Sequence, residues 1–233
     1  MPPSSTTWRH RLRRLLRPAW LGTLRRTTPL SRHWGADRGT PVDRYYIERF
    51  LEAHRSDIRG RVLEVKDGEY ARRFGREVTG VDVLDIYPAN PEATVIVDLT
   101  SADAVPGNSY DCFILTQTLQ FILEPRAALA HVWRVLRPGG VLLATVPTVS
   151  RVIREFDYLQ DHWRFTPSAC TILFAERFGP AQIDVRGRGN VLVSIAFLAG
   201  LAAEELSGDE LERDDPDFPL LVTIRAVKSG SAL

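Results

Sequence analysis

The sequence predicts a single α/β domain with a doubly wound, mostly parallel sheet, preceded by a basic extension. Two observations predict this fold class. Short apolar strands alternate with helical segments from Pro41 onward, which is typical of βαβ units. A chain of 233 residues, 44% of them hydrophobic, is also long enough for one well-buried core and short for two. We therefore expect an extension over residues 1–38, one domain over 39–228 and a short tail over 229–233.

Composition excludes several classes of protein. The formal net charge of +1 gives the whole molecule no strong attraction to nucleic acid or to anionic membranes. The sequence contains no run of about 18 apolar residues, so no membrane span is expected. The first seven residues lack the apolar core of a secretion signal. We expect a cytoplasmic protein, in which Cys112 and Cys170 are reduced core thiols and not a disulfide.

The extension is strongly basic. Its arginines stand against a single acid, Asp37, so it could contact anionic lipid, RNA or an acidic partner. The simpler interpretation is a leader segment whose charges are solvated, and the lack of interleaved aromatic and basic residues favours it over a nucleic-acid platform. These arginines are at positions 9, 11, 13, 14, 17, 25, 26, 32 and 38.

The elements follow from local patterns. Pro41 suits a first helical turn, and apolar residues then recur at helical spacing until about Arg55. A later amphipathic helix is stopped by Pro138-Gly139-Gly140, and the next segment is nearly all apolar, as a central parallel strand should be. The direction of the last two strands stays open. Strands are predicted at 61–65, 77–83, 93–97, 110–115, 141–146, 182–185 and 220–227, and the remaining helices at 126–136, 167–178 and 191–206.

Candidate binding residues follow the strands, because ligands of open α/β sheets bind beyond the carboxyl ends of the strands. Asp82 is predicted at the end of the second strand, 18 residues beyond Glu64, where one carboxylate can accept hydrogen bonds from both hydroxyls of a ribose. Asp98 and the apolar Leu99 follow the third strand and suit an adenine amino group and ring. Thr116 follows the fourth strand. This pattern predicts an adenosine-containing cofactor.

The turn after the first strand argues against a nicotinamide cofactor. Such cofactors need a glycine-rich turn whose backbone amides approach a pyrophosphate. Here only Gly68 is present, and Asp67 and Glu69 on either side of it would repel a diphosphate.

Over residues Val62 to Pro147 the sequence resembles the class I S-adenosylmethionine-dependent methyltransferases, most specifically in the segment Val135-Leu136-Arg137-Pro138-Gly139-Gly140-Val141-Leu142. More narrowly, residues 38–48 and 162–167 resemble a bacterial subgroup associated with glycosyltransferases and with glycan or secondary-metabolite pathways. The resemblance implies a seven-stranded sheet with an antiparallel last strand, S-adenosyl-L-methionine as cofactor, and methyl transfer to a small molecule.

The resemblance also implies roles for single residues. Glu64, Lys66 and Gly68 would belong to the first cofactor motif. The family carries three alternating glycines after the acid, and Lys66 and Tyr70 replace the first and third of them, so either the cofactor is crowded or the loop takes a wider path. By position, Asp82 and Val83 would hold the ribose, Asp98 and Leu99 the adenine, and Thr116 and Gln117 the methionine side.

Candidate catalytic residues come after the fifth strand. The sulfonium is already an activated donor, so the protein mainly aligns the acceptor and excludes water, but an oxygen or nitrogen acceptor can also need a base within about 3 Å. His162, preceded by Asp161, is our candidate for that base. The alternative is a histidine that only binds a loop, above a core filled by Trp163 and Phe165.

Other polar residues have two interpretations each. Gln120 could orient the acceptor or start a helix in solvent, and Tyr45 and Tyr46 could form a lid or part of the core. Asp157, Asp161 and His162 match no metal signature, so no metal is expected. Arginines 151, 154 and 164 would favour an anionic acceptor.

The predicted function is therefore methyl transfer to a small molecule, and the resemblance points to a hydroxyl of a sugar or secondary metabolite. Two alternatives stay open at this point. One is a catalytically silent relative that serves as a binding or scaffolding protein, which the missing glycines would explain. The other is a nucleic-acid-modifying enzyme recruited by the basic extension.

Overall fold

The computed structural model describes residues 22, 25–155 and 157–230, and the predictions made for residues 1–21 and 231–233 lie outside that range. Within it, seven strands form one sheet in the order β3-β2-β1-β4-β5-β7-β6. The strands are β1 Gly60–Val65, β2 Val78–Asp85, β3 Val95–Ile96, β4 Tyr110–Thr116, β5 Leu136–Pro147, β6 Ile183–Arg188 and β7 Leu221–Val227.

Strand direction confirms the predicted fold class. Strands β1 to β5 pair in parallel, whereas β7 runs antiparallel to both of its neighbours, β5 and β6. The sheet is therefore mostly parallel with an antiparallel last strand, as the resemblance implied. Strand order reverses between β1 and β4, so the point where such sheets bind ligands lies above these two strands.

The principal helices are α1 Val42–Ala53, α2 Glu69–Phe74, α3 Pro125–Val135, α4 Pro167–Phe178, α5 Val191–Ala199 and α6 Gly208–Glu212. Helix α4 has the predicted bounds, because Thr166 caps its first turn and Pro167 suits the first helical position. The prediction that α5 extends to Leu206 is wrong. Gly200 adopts a left-handed conformation (φ 77°) that ends the helix at Ala199. None of the helices in the described ranges is long and apolar enough to cross a membrane.

Apolar residues cover both faces of the sheet. One cluster packs the face covered by α3 and α4, and the other packs the face covered by α1, α2 and α5. Cys170 belongs to the first cluster and Cys112 to the second, so the sheet separates the two thiols. Both cysteines are buried and unpaired, which confirms the prediction of reduced core thiols.

Strand β2 ends later than predicted. The predicted strand, 77–83, makes Asp82 a strand-end residue, but β2 runs from Val78 to Asp85 and pairs Leu63 with Asp82 and Val65 with Leu84. Glu77 cannot begin the strand because its backbone is left-handed (φ 55°). The residue at the carboxyl end of β2 is therefore Asp85.

The described part of the basic extension is packed against the domain. The amide of Leu30 donates to the carbonyl of Ala199, 2.7 Å away. Arg38 forms an ion pair with Glu205, and the hydroxyl of Thr40 donates to Glu204. These contacts run continuously across the predicted boundary between residues 38 and 39, and the division of the chain at that point stays a prediction.

An ion pair ties β7 to the turn before β1. The guanidinium of Arg225 donates to both carboxylate oxygens of Asp57, at 2.8 and 2.9 Å, and the Asp57 side chain is only 17% exposed. Burial raises the pKa of Asp57, but hydrogen bonds from Arg225 and His54 outweigh burial and hold the pKa well below its usual value.

Replacing this carboxylate should destabilise the fold. We expect Asp57→Asn to lower the free energy of unfolding by about 1–3 kcal/mol at pH 7, because Arg225 loses a charged, two-point partner. The depressed pKa means that the difference from wild type persists above about pH 4 and shrinks as the pH falls further. Urea denaturation at several pH values measures it. The control is Asp184→Asn, which breaks the exposed pair with Arg186 and should change stability by about 0–1 kcal/mol; equal effects of the two variants would contradict this account.

Candidate active site

Two residues with unusual backbone conformations stand where the two central strands end. Lys66 directly follows β1 and has φ 72°, and Gln117 directly follows β4 and has φ 45°. Residues other than glycine seldom adopt such left-handed conformations, which are enriched at functional sites. Trp34, Glu77 and Asn108 adopt them elsewhere in the described chain. Because β1 and β4 are neighbours, both turns lie at the point where strand order reverses.

The buried side chain of Glu64 holds the turn after β1 in place. Its carboxylate is 1% exposed and accepts hydrogen bonds from the amides of Tyr70 (3.0 Å) and Ala71 (2.7 Å) in the first turn of α2. Burial raises the pKa of Glu64 to about 7, against the lowering effect of these two amides. Both oxygens of Glu64 therefore hold the fold, so any effect of this residue on a cofactor acts through the turn.

The turn itself has one glycine for a steric reason. A Cβ on Gly68 would lie 2.9 Å from the end of the flexible Arg72 side chain and 3.1 Å from the Val81 side chain, so the Val81 side chain would have to shift by a few tenths of an ångström. Lys66 holds its left-handed conformation through its backbone, which donates to Leu84 and accepts from the Asn90 side chain at 2.6 Å. The turn is well defined although Lys66 and Tyr70 stand where the resemblance would place glycines.

Asp85 lies beside this turn. One carboxylate oxygen accepts from the Asn90 amide group at 2.6 Å, and the other accepts from the backbone amide of Tyr87 at 2.9 Å. Since Asn90 also donates to the carbonyl of Lys66, the end of β2 and the turn after β1 are joined. Asp85 is not among the residues predicted from the sequence, although an acid directly before the turn-forming segment Ile86-Tyr87-Pro88 is a usable signal.

Asp82 occupies a different environment. Its carboxylate forms an ion pair with Arg61 (2.7 Å), whose guanidinium also lies over the ring of Tyr110. Arg61 and Tyr110 stand at the starts of β1 and β4, so the Asp82 carboxylate is turned away from the carboxyl ends of the strands. Along the strand it is about 10 Å from Asp85. Its neighbour Val83 is buried, with its amide bonded to Thr94.

Three more of the predicted cofactor residues lie at strand ends. Asp98 follows β3, and its carboxylate accepts from the amide and the hydroxyl of Thr100, both at 2.8 Å. Leu99 beside it is buried. Thr116 is the last residue of β4. Together with Lys66 and Asp85 these residues follow the order of the strands β3, β2, β1 and β4 along one edge of the sheet.

The loop between β5 and α4 carries the two catalytic candidates. The side chain of Asp161 is 1% exposed and accepts two hydrogen bonds from Arg164 and one from the amide of Ile153. Burial raises its pKa, but these hydrogen bonds prevail and hold it below the usual value. His162 is exposed, and its amide donates to the carbonyl of Gln120. The oxygens of Asp161 are occupied by Arg164 and Ile153, so Asp161 and His162 do not act as a hydrogen-bonded pair.

Gln120 is not the exposed residue that one interpretation allowed. Its side chain is 4% exposed and donates to the carbonyl of Gln117 at 2.8 Å, which supports the left-handed turn after β4. Its backbone carbonyl accepts from the amides of both His162 and Trp163. The side-chain oxygen of Gln120 is buried and has no hydrogen-bond partner among the described residues.

The two tyrosines of α1 do not form a lid. The Tyr46 hydroxyl donates to the carbonyl of Leu211 at 2.6 Å and its ring is buried, while the Tyr45 hydroxyl donates to Glu212. Both hydroxyls are held by α6. Asp157 is exposed, and the described residues contain no group of three acids, histidines or cysteines suited to a metal ion.

The loop after β5 is also attached to the basic extension. The guanidinium carbon of Arg151 lies 3.8 Å from the ring centroid of Trp34, and the carbonyl of Arg151 accepts from Arg164. Through Arg164 the contact continues to Asp161. Residue 34 thus supports the loop that carries His162.

Part of the chain that contains this site matches a protein-family model. Residues 67–144 match the family model described as Methyltransferase domain. The matched segment begins in the turn after β1 and ends within β5, so it contains Asp85, Asp98 and Gln117. It supports methyltransferase activity in general. Helix α1 and the loop after β5 lie outside the match.

Solved structures share this fold. An S-adenosylmethionine-dependent methyltransferase from Archaeoglobus fulgidus is 11% identical, with a TM-score of 0.52 over 79% of this chain and 94% of that one. Haemonchus contortus phosphoethanolamine N-methyltransferase 2, in complex with S-adenosyl-L-methionine, is 15% identical, with a TM-score of 0.51 over 73% and 49%. The [4+2]-cyclase SpnF is 16% identical, with a TM-score of 0.50 over 83% and 85%. No curated protein matches the chain in sequence.

The raised pKa of Glu64 predicts a pH effect on the stability of the protein. The folded protein holds the proton of Glu64 more tightly than the unfolded chain does. The free energy of unfolding of wild type therefore falls, relative to a variant without the acid, as the pH rises from about 4.5 to 7. We expect Glu64→Gln to remove that fall, on the order of 1–3 kcal/mol. Urea denaturation at pH 5 and pH 7.5 tests this. Parallel pH profiles for the two proteins would show that Glu64 ionises normally.

The contact of Trp34 with Arg151 predicts an effect on the loop after β5. We expect Trp34→Ala to raise the rate of trypsin cleavage after Arg154 by about 2- to 10-fold, because a cation–π contact of about 1 kcal/mol is lost. Peptide mass spectrometry over a digestion time course measures the rate. Trp133→Ala is the matched control, since it removes a similar contact with Lys228 elsewhere. Unchanged cleavage in Trp34→Ala would show that residue 34 does not support the loop.

Proposed function

We propose that the protein transfers the methyl group of S-adenosylmethionine to a small-molecule acceptor. One observation carries the proposal. The carboxylate of Asp85 and the left-handed turn at Gln117 lie within the segment that matches a methyltransferase domain, and the left-handed Lys66 directly precedes that segment. All three residues stand where parallel strands end. S-adenosylmethionine is the cofactor that the domain match supports.

The described residues fit this cofactor, with one reassignment. We propose Asp85 and not Asp82 as the acid that binds the ribose, because Asp85 is at the strand end and has acceptor capacity left after its two hydrogen bonds. Asp98 and Leu99, after the neighbouring β3, would bind the adenine. Glu64 and Gly68 would act by shaping the turn, with Thr116 and Gln117 on the methionine side.

The chemistry asks little of the protein beyond positioning. The bound cofactor supplies an activated methyl group, and the residues around it have to align the acceptor and keep water out. We propose that His162 is the base that accepts the proton of a hydroxyl acceptor. It is exposed on the loop after β5, and its backbone amide donates to the carbonyl of Gln120.

Two of the three arginines of the loop are already engaged. Arg164 is paired with Asp161, and Arg151 is paired with Glu155 and stacked on Trp34, whereas Arg154 is exposed. Engagement of these two guanidiniums supports the hydroxyl of a sugar or secondary metabolite as the acceptor group. The fold itself does not select the acceptor atom, since the Haemonchus contortus protein of the same fold is named as an N-methyltransferase. A cytoplasmic location stays a prediction.

The proposal is tested by calorimetric titration with S-adenosylhomocysteine and by two matched variants. We expect wild type to bind in the micromolar range. Asp85→Asn should weaken binding by about 1–3 kcal/mol, because a buried hydrogen bond to the ribose is lost, whereas Asp82→Asn should bind as wild type does.

The reverse result, with Asp82→Asn weakened and Asp85→Asn unaffected, would return the ribose site to Asp82. If wild type bound neither S-adenosylhomocysteine nor S-adenosylmethionine, the domain would be a silent relative with a binding or scaffolding role. The match to a methyltransferase domain does not favour that alternative.

A further inference from the structure

Helix α1 carries a carboxylate on the face that packs against the domain. Asp43 precedes Tyr46, Ile47 and Phe50 by three, four and seven residues, and these three side chains are 6%, 4% and 7% exposed. At helical spacing all four residues lie on one stripe. Asp43 is therefore the charged end of an otherwise apolar stripe, and it is half-buried.

Contacts between α1 and α2 place this end of α1 beside the turn after β1. Arg44 lies 3.9 Å from the carboxylate of Glu69 and over the ring of Tyr70, at the start of α2. One turn further along α1, Glu48 binds Arg73 through two hydrogen bonds of 2.7 Å. Because α2 begins directly after the turn at residues 66–68, Asp43 lies at the same edge of the sheet as Lys66 and Asp85.

The charge of Asp43 is only weakly compensated, because the attraction of the adjacent Arg44 is smaller than the effect of burial. Its carboxylate accepts one hydrogen bond, from the amide of the adjacent Arg44 at 2.8 Å, and it forms no ion pair within the described residues. The guanidinium of Arg44 is engaged by Glu69 and Tyr70 instead. Burial raises the pKa of Asp43 to about 6. A carboxylate held in such a place costs stability unless a bound group brings a positive charge.

The order of the strands indicates which part of the cofactor would lie near Asp43. With adenine at the end of β3 and ribose at the end of β2, the rest of the molecule continues over β1 toward β4. That remainder is the methionine moiety, which carries an α-ammonium group. An ammonium offers both the charge and the N–H donors that the Asp43 carboxylate lacks.

We propose that Asp43 binds the α-ammonium group of the cofactor's methionine moiety, an inference that rests on the proposed function. It gives a role to the segment Gly39-Thr40-Pro41-Val42-Asp43-Arg44, which lies outside the matched domain. A rival explanation is that Asp43 only stabilises the first turn of α1 through its negative charge. The two explanations differ in what removal of the charge does to stability.

The test compares two ligands on three proteins. Wild type, Asp43→Asn and Glu52→Gln are titrated by calorimetry with S-adenosylhomocysteine and with 5′-methylthioadenosine, which has the adenosine and the sulfur but no ammonium group. Glu52→Gln is the matched control, because it removes the same charge from the exposed face of α1. Melting temperatures are recorded for all three proteins.

We expect Asp43→Asn to weaken binding of S-adenosylhomocysteine about 10- to 100-fold and to leave 5′-methylthioadenosine within about 2-fold of wild type. Its melting temperature should equal or exceed that of wild type, because a weakly compensated charge is gone while the amide of Arg44 keeps its acceptor. Glu52→Gln should bind both ligands as wild type does.

Three results would overturn the inference. Asp43→Asn could bind S-adenosylhomocysteine like wild type, could lose both ligands equally, or could melt lower with losses that Asp43→Ser reproduces for both ligands. In all three cases the proposed function stands, because wild type still binds. If wild type bound neither ligand, the proposed function would fail and this inference with it.

Discussion

The buried carboxylate of Glu64 is the contact on which the arrangement of this site depends. By accepting the amides of Tyr70 and Ala71 it sets where α2 begins, and the turn at residues 66–68 follows from that constraint. The positions of Asp85 and of helix α1 depend in turn on this turn and on α2. Asn90 joins the carbonyl of Lys66 to Asp85, and Arg73 holds α1 through Glu48.

Much of the polar chemistry around the site is used to hold loops. In the segment His162 to Pro167, which the sequence analysis singled out, Trp163 donates to Ile122, Arg164 binds Asp161, and Thr166 caps α4. These contacts fix the path from β5 to α4. They leave few groups for chemistry, which agrees with a reaction in which positioning is the main task.

The fold was largely predictable from the sequence because it depends on patterns that are local. Alternating apolar strands and helices predict the sheet, and Pro167 and Thr166 predict the start of α4. The end of β2 was not predictable in the same way. Its strand carries two acids, Asp82 and Asp85, and only the pairing with β1 shows which of them reaches the strand end.

The site was less predictable for a related reason. Burial of Gln120 and the engagement of Asp161 by Arg164 are tertiary contacts between segments that are far apart or in an irregular loop. Such contacts leave no periodic pattern of residues in the sequence. The same holds for Asp43, whose place on the buried stripe of α1 is readable from spacing, whereas its lack of a cationic partner is not.

The lysine at position 66 has a consequence for the unfolded chain. A glycine at this left-handed position would be free of strain but would keep many conformations open before folding, whereas a lysine samples fewer of them. The strain of the folded turn, about 1–2 kcal/mol, is partly offset by the smaller entropy that the chain loses. The conformation of such a turn is set during folding, before a ligand arrives. Replacement of a glycine can thus shift a cost from the binding step to the folding step.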